Sequence, residues 1–227
     1  MSNVAILMAA GKGLRTGGDI PKQFVPVNGK MLMEYALTTF QQHPRIDEIV
    51  VVLPADCPDG IRQHLVATYP KITRLVEGGA ERFQSSWNAT RLFAQRPDDI
   101  LLLHDAARPG LTVRIVDDLL DALATNQAAV TALPATDTVL RGSADGSLVE
   151  TLDRAGLYYA QTPQAFRARL LVACFENLWA DGDFAPTDES GLVTRYAPEV
   201  PVRLVLGDPK NFKVTYADDF DNLMDRI

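Results

Sequence analysis

The stretch Ala9-Ala10-Gly11-Lys12-Gly13-Leu14-Arg15, running on to Pro21-Lys22-Gln23-Phe24, has the makings of an anion-binding loop. Glycines at alternate positions let the backbone approach a ligand and turn successive N–H groups one way, which suits phosphate oxygens. Lys12, Arg15 and Lys22 place three cations within eleven residues. A Gly-x-Gly alone is equally a plain strand-to-helix turn; the clustered cations tip the reading to phosphate. The loop is of neither familiar kind. A dinucleotide fingerprint counted from Gly11 needs glycine where Thr16 stands, and a Walker A loop counted from Gly13 has Asp19 in place of its lysine.

Two further stretches carry chemistry. In His104-Asp105-Ala106-Ala107-Arg108-Pro109, an acid directly after an apolar run suits Mg²⁺ beside a polyphosphate, since that ion takes carboxylate oxygens and keeps its waters. Arg108 could take a phosphate bidentately. Asp105 could equally cap the helix that follows, and His104 has no partner at metal-ligand spacing and reads as structural. Gly78-Gly79-Ala80-Glu81-Arg82-Phe83-Gln84-Ser85 permits close backbone approach to a base or sugar, with Ser85 as a short hydrogen-bonding side chain; a glycine turn opening a helix is the plainer alternative.

These stretches must be held by the elements around them. Val4–Met8, Glu48–Leu53, Ile72–Val76, Ile100–Leu103 and Ala128–Leu133 read as buried strands. Helical spacing over Met31–Gln42, Gly60–Tyr69, Arg82–Gln95 and Thr112–Thr125 alternates with them. This order predicts a mostly parallel α/β sheet with helices on both faces, whose ligands bind at the carboxyl ends of the strands. Thr136–Arg141 and Leu148–Leu152, around Asp145-Gly146, predict a hairpin with little of that core to bury itself against. We expect a single domain over 1–227 with this β-arm, at about 136–160, packed on another subunit; a plain surface excursion is the alternative. Further on, Gln161–Phe166 reads as a loop containing Pro163, and Arg167–Leu178 as a helix. Thr187-Asp188-Glu189 looks like the start of a helix over Glu189–Tyr196. Val202–Leu206 and Asn211–Val214 read as strands, and Asp218–Arg226 as a last helix.

Composition narrows the partners. The 227 residues hold 22 Lys plus Arg against 29 Asp plus Glu, a formal charge of -7. That surplus of acid argues against a protein that coats nucleic acid, whose affinity comes from neutralising phosphates. Cys57 and Cys174 are the only cysteines, too few for a disulfide framework, and read as buried thiols. Met1–Ala10 lacks a basic n-region, and no stretch approaches the roughly 20 apolar residues of a membrane span. We expect a cytoplasmic protein without a membrane partner.

Taken together and in order, Ala9–Arg15, Pro21–Phe24, Gly78–Ser85, His104–Pro109, Asp137-Thr138, Asp153-Arg154, Thr162-Pro163-Gln164, Thr187–Glu189 and Asn211–Thr215 resemble one family. They are similar to the 2-C-methyl-D-erythritol 4-phosphate cytidylyltransferases of the non-mevalonate isoprenoid pathway. The resemblance implies a Rossmann-like nucleotidyltransferase sheet with an arm exchanged in a homodimer. It implies transfer of CMP from CTP to methylerythritol phosphate, with release of pyrophosphate and with Mg²⁺ as cofactor. By matching position, Arg15, Lys22, Arg154 and Lys213 would be catalytic. Ala9, Ala10, Gly11, Gly13, Gly79, Ser85 and Ala106 would line the CTP side with Arg15, Lys22 and Lys213. Asp105 would face both CTP and the metal. Arg108, Thr138, Arg154 and Thr162 would hold the polyol phosphate with Asp105 and Lys213, the arm residues Thr138 and Arg154 reaching across the dimer.

Two positions depart from the family pattern. Ala80 stands where some relatives carry an acid, and Thr16 where they often carry methionine. With the sequence ending at Ile227, no fused cyclodiphosphate synthase is expected. Two other readings stay open at this point: a ribitol 5-phosphate cytidylyltransferase of the same fold, and a nucleotide-sensing module without turnover.

Overall fold

In the computed structural model, residues 1–11, 20–182, 184–221 and 223 are described. The short Val-, Ile- and Leu-rich runs form strands, and the amphipathic segments between them form helices. The first half of the chain contains β1 (Asn3–Met8), β2 (Pro26–Val27), β3 (Lys30–Met31), α1 (Leu32–Gln42), β4 (Glu48–Leu53) and α2 (Asp59–Thr68). It continues with β5 (Ile72–Glu77), α3 (Arg82–Thr90), β6 (Ile100–Asp105) and α4 (Val113–Ala122). The second half contains β7 (Ala128–Pro134), β8 (Val139–Gly142), β9 (Leu148–Leu152) and β10 (Tyr158–Arg167). After these come α5 (Ala168–Asp181), α6 (Glu189–Tyr196), β11 (Val202–Leu206) and α7 (Asp218–Asp221).

Seven strands make one sheet in the order β11-β7-β10-β6-β1-β4-β5. All neighbours pair in parallel except β10, which runs antiparallel to both β6 and β7. Alternation along the central strands divides the core between the two faces. Ala5, Leu7, Ile49, Val51, Ile100 and Leu102 pack with α1 and α4 on one side. Val4, Ile6, Val50, Val52, Leu101 and Leu103 pack with α5 and α6 on the other. Strands buried on both faces carry no polar stripe, which is why they read as continuous apolar runs.

Two expectations are corrected here. Gln161–Phe166 is not a loop, because Gln164–Arg167 pairs with β6 and the strand pairs with β7 on either side of a register shift between Ala160 and Gln164. Pro163, which cannot donate to a ladder, sits within that irregular stretch, so the proline that argued against a strand is accommodated there. Asn211–Val214 is not a strand either: Pro209–Asn211 form a 3₁₀ turn started by Asp208, whose side chain accepts from the Lys210 N–H. A small hairpin, β2–β3, was not anticipated, although its Asn28-Gly29 turn, with φ of 47° and 80°, is a direct sequence signal. The β8–β9 hairpin forms as expected, but Tyr158–Ala160 belong to the main sheet, so the arm stops short of the anticipated boundary near 160.

β10 is fastened to β6 by a polar chain inside the core. The Thr162 hydroxyl accepts the Asp105 N–H at 3.0 Å and lies 3.1 Å from Nδ1 of His104. Nε2 of His104 lies 3.0 Å from the Arg108 carbonyl. One proton arrangement satisfies all of these groups: Thr162 donates to Nδ1, and a neutral imidazole donates from Nε2. His104 is fully buried, and burial pushes its pKa from 6.5 down to about 4.

Two outcomes follow from this packing. Gly110 lies against the 3₁₀ turn so closely that an added Cβ would overlap the Lys210 carbonyl. Gly110→Ala should therefore cost about 1–3 kcal/mol. In a thermal melt this is a fall of several degrees, at roughly 2–4 °C per kcal/mol in a chain of this size. For His104, the unfolded chain binds a proton between pH 6.5 and about 4 that the folded chain refuses. Its contribution is thus neutral above pH 6.5 and increasingly destabilising down to about 4, where it reaches about 3 kcal/mol. Urea titrations of His104→Gln across that range should show a clearly shallower acid limb; a limb of undiminished depth would assign the loss to other groups.

Candidate active site

The carboxyl ends of β1, β5 and β6 open onto one cavity of about 460 Å³. The loop after β1 enters it at Ala9, Ala10 and Gly11, and its flank is locked from behind. Gln23, almost fully buried, donates its side-chain amide to the carbonyls of Ala9 at 2.7 Å and Gly11 at 3.0 Å. Lys22, beside it, lines the cavity and donates to the Val214 carbonyl at 2.8 Å. Lys12, Gly13 and Arg15 lie outside the described residues.

The loop after β5 forms the facing wall. A Cβ at Gly78 would overlap the Ala10 side chain, so the two loops touch only because that position is glycine. Gly79 and Ser85 both line the cavity, as expected. The Ser85 hydroxyl is occupied in shaping the loop, accepting from the Gly79 N–H at 2.9 Å and donating to the Glu81 carbonyl at 3.1 Å.

A second cavity of about 190 Å³ adjoins the first, lined by Arg108, Gln161, Thr162 and Asp188 among others. Arg82, Asp105 and Lys213 face both. Asp105, at the last position of β6, has each carboxylate oxygen in a cationic contact. Arg82 reaches Oδ1 at 3.2 and 3.3 Å, and Lys213 reaches Oδ2 at 2.7 Å. Burial opposes charge on Asp105, but Arg82 and Lys213 outweigh it and hold the carboxyl well below the usual range. Arg82 is itself gripped from the other side by Glu189 of α6, at 2.7 and 3.1 Å. Burial would lower the Arg82 guanidinium; the two carboxylates overcome that and raise it.

Arg108 is different. It donates to the carbonyls of Asn211 at 2.9 Å and Ala160 at 3.3 Å, with no carboxylate at ion-pair distance among the described residues. Burial pulls its pKa below the ordinary arginine value. A guanidinium desolvated in this way and neutralised by no contacting acid gains more from an arriving anion than an exposed one would.

The structure thus brings Ala9, Ala10, Gly11, Lys22, Gly79, Ser85, Asp105, Ala106 and Lys213 to one cavity. Arg108 and Thr162 come to its neighbour. Thr138 and Arg154 line neither. Both are exposed at the base of the arm, where Arg154 donates to the Thr136 carbonyl. Gln23 and Glu189 were missed as site residues. Gln23 had a signal in its place beside Lys22, whereas Glu189 read as an ordinary first-turn acid.

The family model described as 2-C-methyl-D-erythritol 4-phosphate cytidylyltransferase matches residues 3–223. A protein of that name from Symbiobacterium thermophilum is 43% identical over 95% of this chain and 88% of its own length. One from Syntrophus aciditrophicus is 37% identical over 95% and 92%. Among solved structures, the 4-diphosphocytidyl-2C-methyl-D-erythritol synthase of Anaerococcus prevotii superposes with a TM-score of 0.85 at 30% identity, over 98% of this chain and 94% of that one. The cytidylyltransferase of Francisella tularensis gives 0.81 at 30% identity over the whole of both chains. With matches of this length in sequence and in fold, the chain belongs to the 2-C-methyl-D-erythritol 4-phosphate cytidylyltransferase family.

Proposed function

We propose that this protein transfers CMP from CTP to 2-C-methyl-D-erythritol 4-phosphate and releases pyrophosphate, as a step in isoprenoid precursor synthesis. The observation that carries this reading is the shared wall: two adjoining cavities, both faced by Arg82, Asp105 and Lys213. A nucleotide in the larger and a polyol phosphate in the smaller would meet at that wall. The attacking phosphate monoester is already anionic at neutral pH and needs no general base. The obstacle is one anion approaching another, so placement and charge compensation supply the catalysis. The backbone of Ala9–Gly11 and Gly79 borders the nucleotide, Lys22 and Arg15 neutralise charge building toward the leaving pyrophosphate, Arg108 holds the acceptor phosphate, and Lys213, which faces both cavities, serves nucleotide and acceptor alike.

A divalent cation, Mg²⁺ in our reading, accompanies the nucleotide. The donor set fits one that comes with its ligand: among the described residues no cluster of three His, Cys, Asp or Glu could hold a metal alone. Mg²⁺ shared with a triphosphate requires only one or two carboxylates, and Asp105 provides one. When bound, the ion neutralises triphosphate charge.

The reading includes a homodimer built on the arm. Leu140, Leu148 and Val149 on β8 and β9 are each about 60% exposed, an apolar surface that a second chain would cover. Thr138 and Arg154 reach neither cavity of their own chain, which is where a partner's pocket would receive them. Both cysteines are buried and unpaired, in keeping with a reducing cytosol, and among the described residues no helix is long and apolar enough to cross a membrane.

Pyrophosphate release should be fast with CTP and methylerythritol phosphate and negligible with ribitol 5-phosphate; the reverse preference would replace the acceptor. Lys22→Ala and Arg15→Ala should lower kcat by roughly 10²–10³ with much smaller changes in CTP affinity. Equal losses in both would reduce these residues to binding. Mixing Arg154→Ala with Lys22→Ala subunits should restore part of the activity through hybrid dimers, and hybrids that form but stay inactive would remove Arg154 from the partner's site.

A further inference from the structure

Glu189 lies far along the chain from the glycine loops, yet it is only 2% exposed and closes the chain of charges at the wall between the cavities. Its carboxylate takes Arg82 bidentately at 2.7 and 3.1 Å. The same guanidinium contacts one oxygen of Asp105, and Lys213 contacts the other. The two cations on Asp105 are therefore not equivalent. Arg82 is held by two carboxylates in a planar fork, whereas Lys213 pairs with Asp105 alone among the carboxylates of the described residues. A triphosphate entering the larger cavity attracts both. The cation with one carboxylate partner on a flexible four-carbon stem moves first.

We propose that Glu189 is a positioning residue for nucleotidyl transfer. It anchors Arg82, so that an arriving nucleotide draws Lys213 away and leaves the Asp105 carboxylate in place with one oxygen turned to the site. The inference rests on the cytidylyl-transfer reading above. Without the negative charge at Glu189, Arg82 has one acid in place of two and turns toward the triphosphate, taking the support of Asp105 with it. Nucleotide binding then stays the same or improves while the reacting groups are misplaced.

Glu189→Gln keeps the size of the side chain and removes its charge. Its kcat for pyrophosphate release should fall at least tenfold, while the CTP dissociation constant from titration calorimetry is unchanged or lower. Glu189→Asp, which keeps the charge on a shorter stem, should recover part of kcat. In an Arg82→Gln background the Glu189→Gln change should cost less than a further twofold. A loss of kcat below tenfold, loss of CTP binding in step with kcat, or losses that multiply independently in the double variant would each overturn the proposal. If Glu189→Gln fails to fold, the coupling decides it: the kcat loss of Glu189→Asp should shrink to less than twofold in the Arg82→Gln background, and a loss of the same size in both backgrounds would overturn the proposal. A wild-type chain that binds CTP but transfers nothing to methylerythritol phosphate would sink the functional reading instead.

Discussion

The site is organised around a carboxylate kept charged in a place where burial opposes it. Asp105 ends a strand that is buried along its whole length, so its side chain enters the cavity from the driest part of the molecule. Arg82 and Lys213 make that tolerable, one from the start of α3 and the other from the segment after the 3₁₀ turn. Removing one partner of such a group leaves an uncompensated charge, which costs far more than the intact cluster contributes. The end of β6, the start of α3 and the segment carrying Lys213 are thus bound to one another by an electrostatic requirement, in addition to their packing.

The antiparallel strand β10 supplies the other half of the site. Inserted between β6 and β7, it brings Gln161 and Thr162 beside the end of β6. Asn211 then donates its side-chain amide to the Thr162 carbonyl at 2.7 Å, and Arg108 donates to the Asn211 carbonyl. The turn that ends at Asn211 and leads to Lys213 is therefore referenced to the same strand that borders the second cavity. Gly110 permits this arrangement by having no side chain where the turn passes. A wholly parallel sheet would leave this position to a strand running the other way, with its carboxyl end at the cavities.

Much of this was legible in the sequence where the physics is local. Apolar runs separated by helical spacing gave the sheet, paired glycines marked the loops that approach a ligand, and Asp145-Gly146 marked the arm. What escaped depends on contacts between distant residues. Pro163 speaks locally against a strand, and only the sheet on both sides shows how the irregular register contains it. Glu189 has the local signature of a helix start, which it also is; its pairing with Arg82, 107 positions earlier, follows only from the fold. Gln23 was marked only by its place beside Lys22, and its bonds to the Ala9 and Gly11 carbonyls follow only from the fold. Lys12, Gly13 and Arg15 lie outside the described residues, and their roles rest on the sequence and the family resemblance.

The net charge of -7 also takes on a more definite meaning. At the wall between the cavities, Asp105 and Glu189 balance Arg82 and Lys213 charge for charge, so those two cations are already paired when a ligand arrives. Beside Arg108, which no carboxylate of the described residues contacts, affinity for a highly charged ligand can come from re-partnering: a cation that leaves a carboxylate for a phosphate exchanges one ion pair for another. Such an exchange costs less desolvation than holding a bare cation in a dry pocket would. It also makes the released carboxylate part of the bound state. An acidic protein can in this way serve a polyanionic substrate, because part of the positive charge it needs is stored in ion pairs until the ligand competes for it.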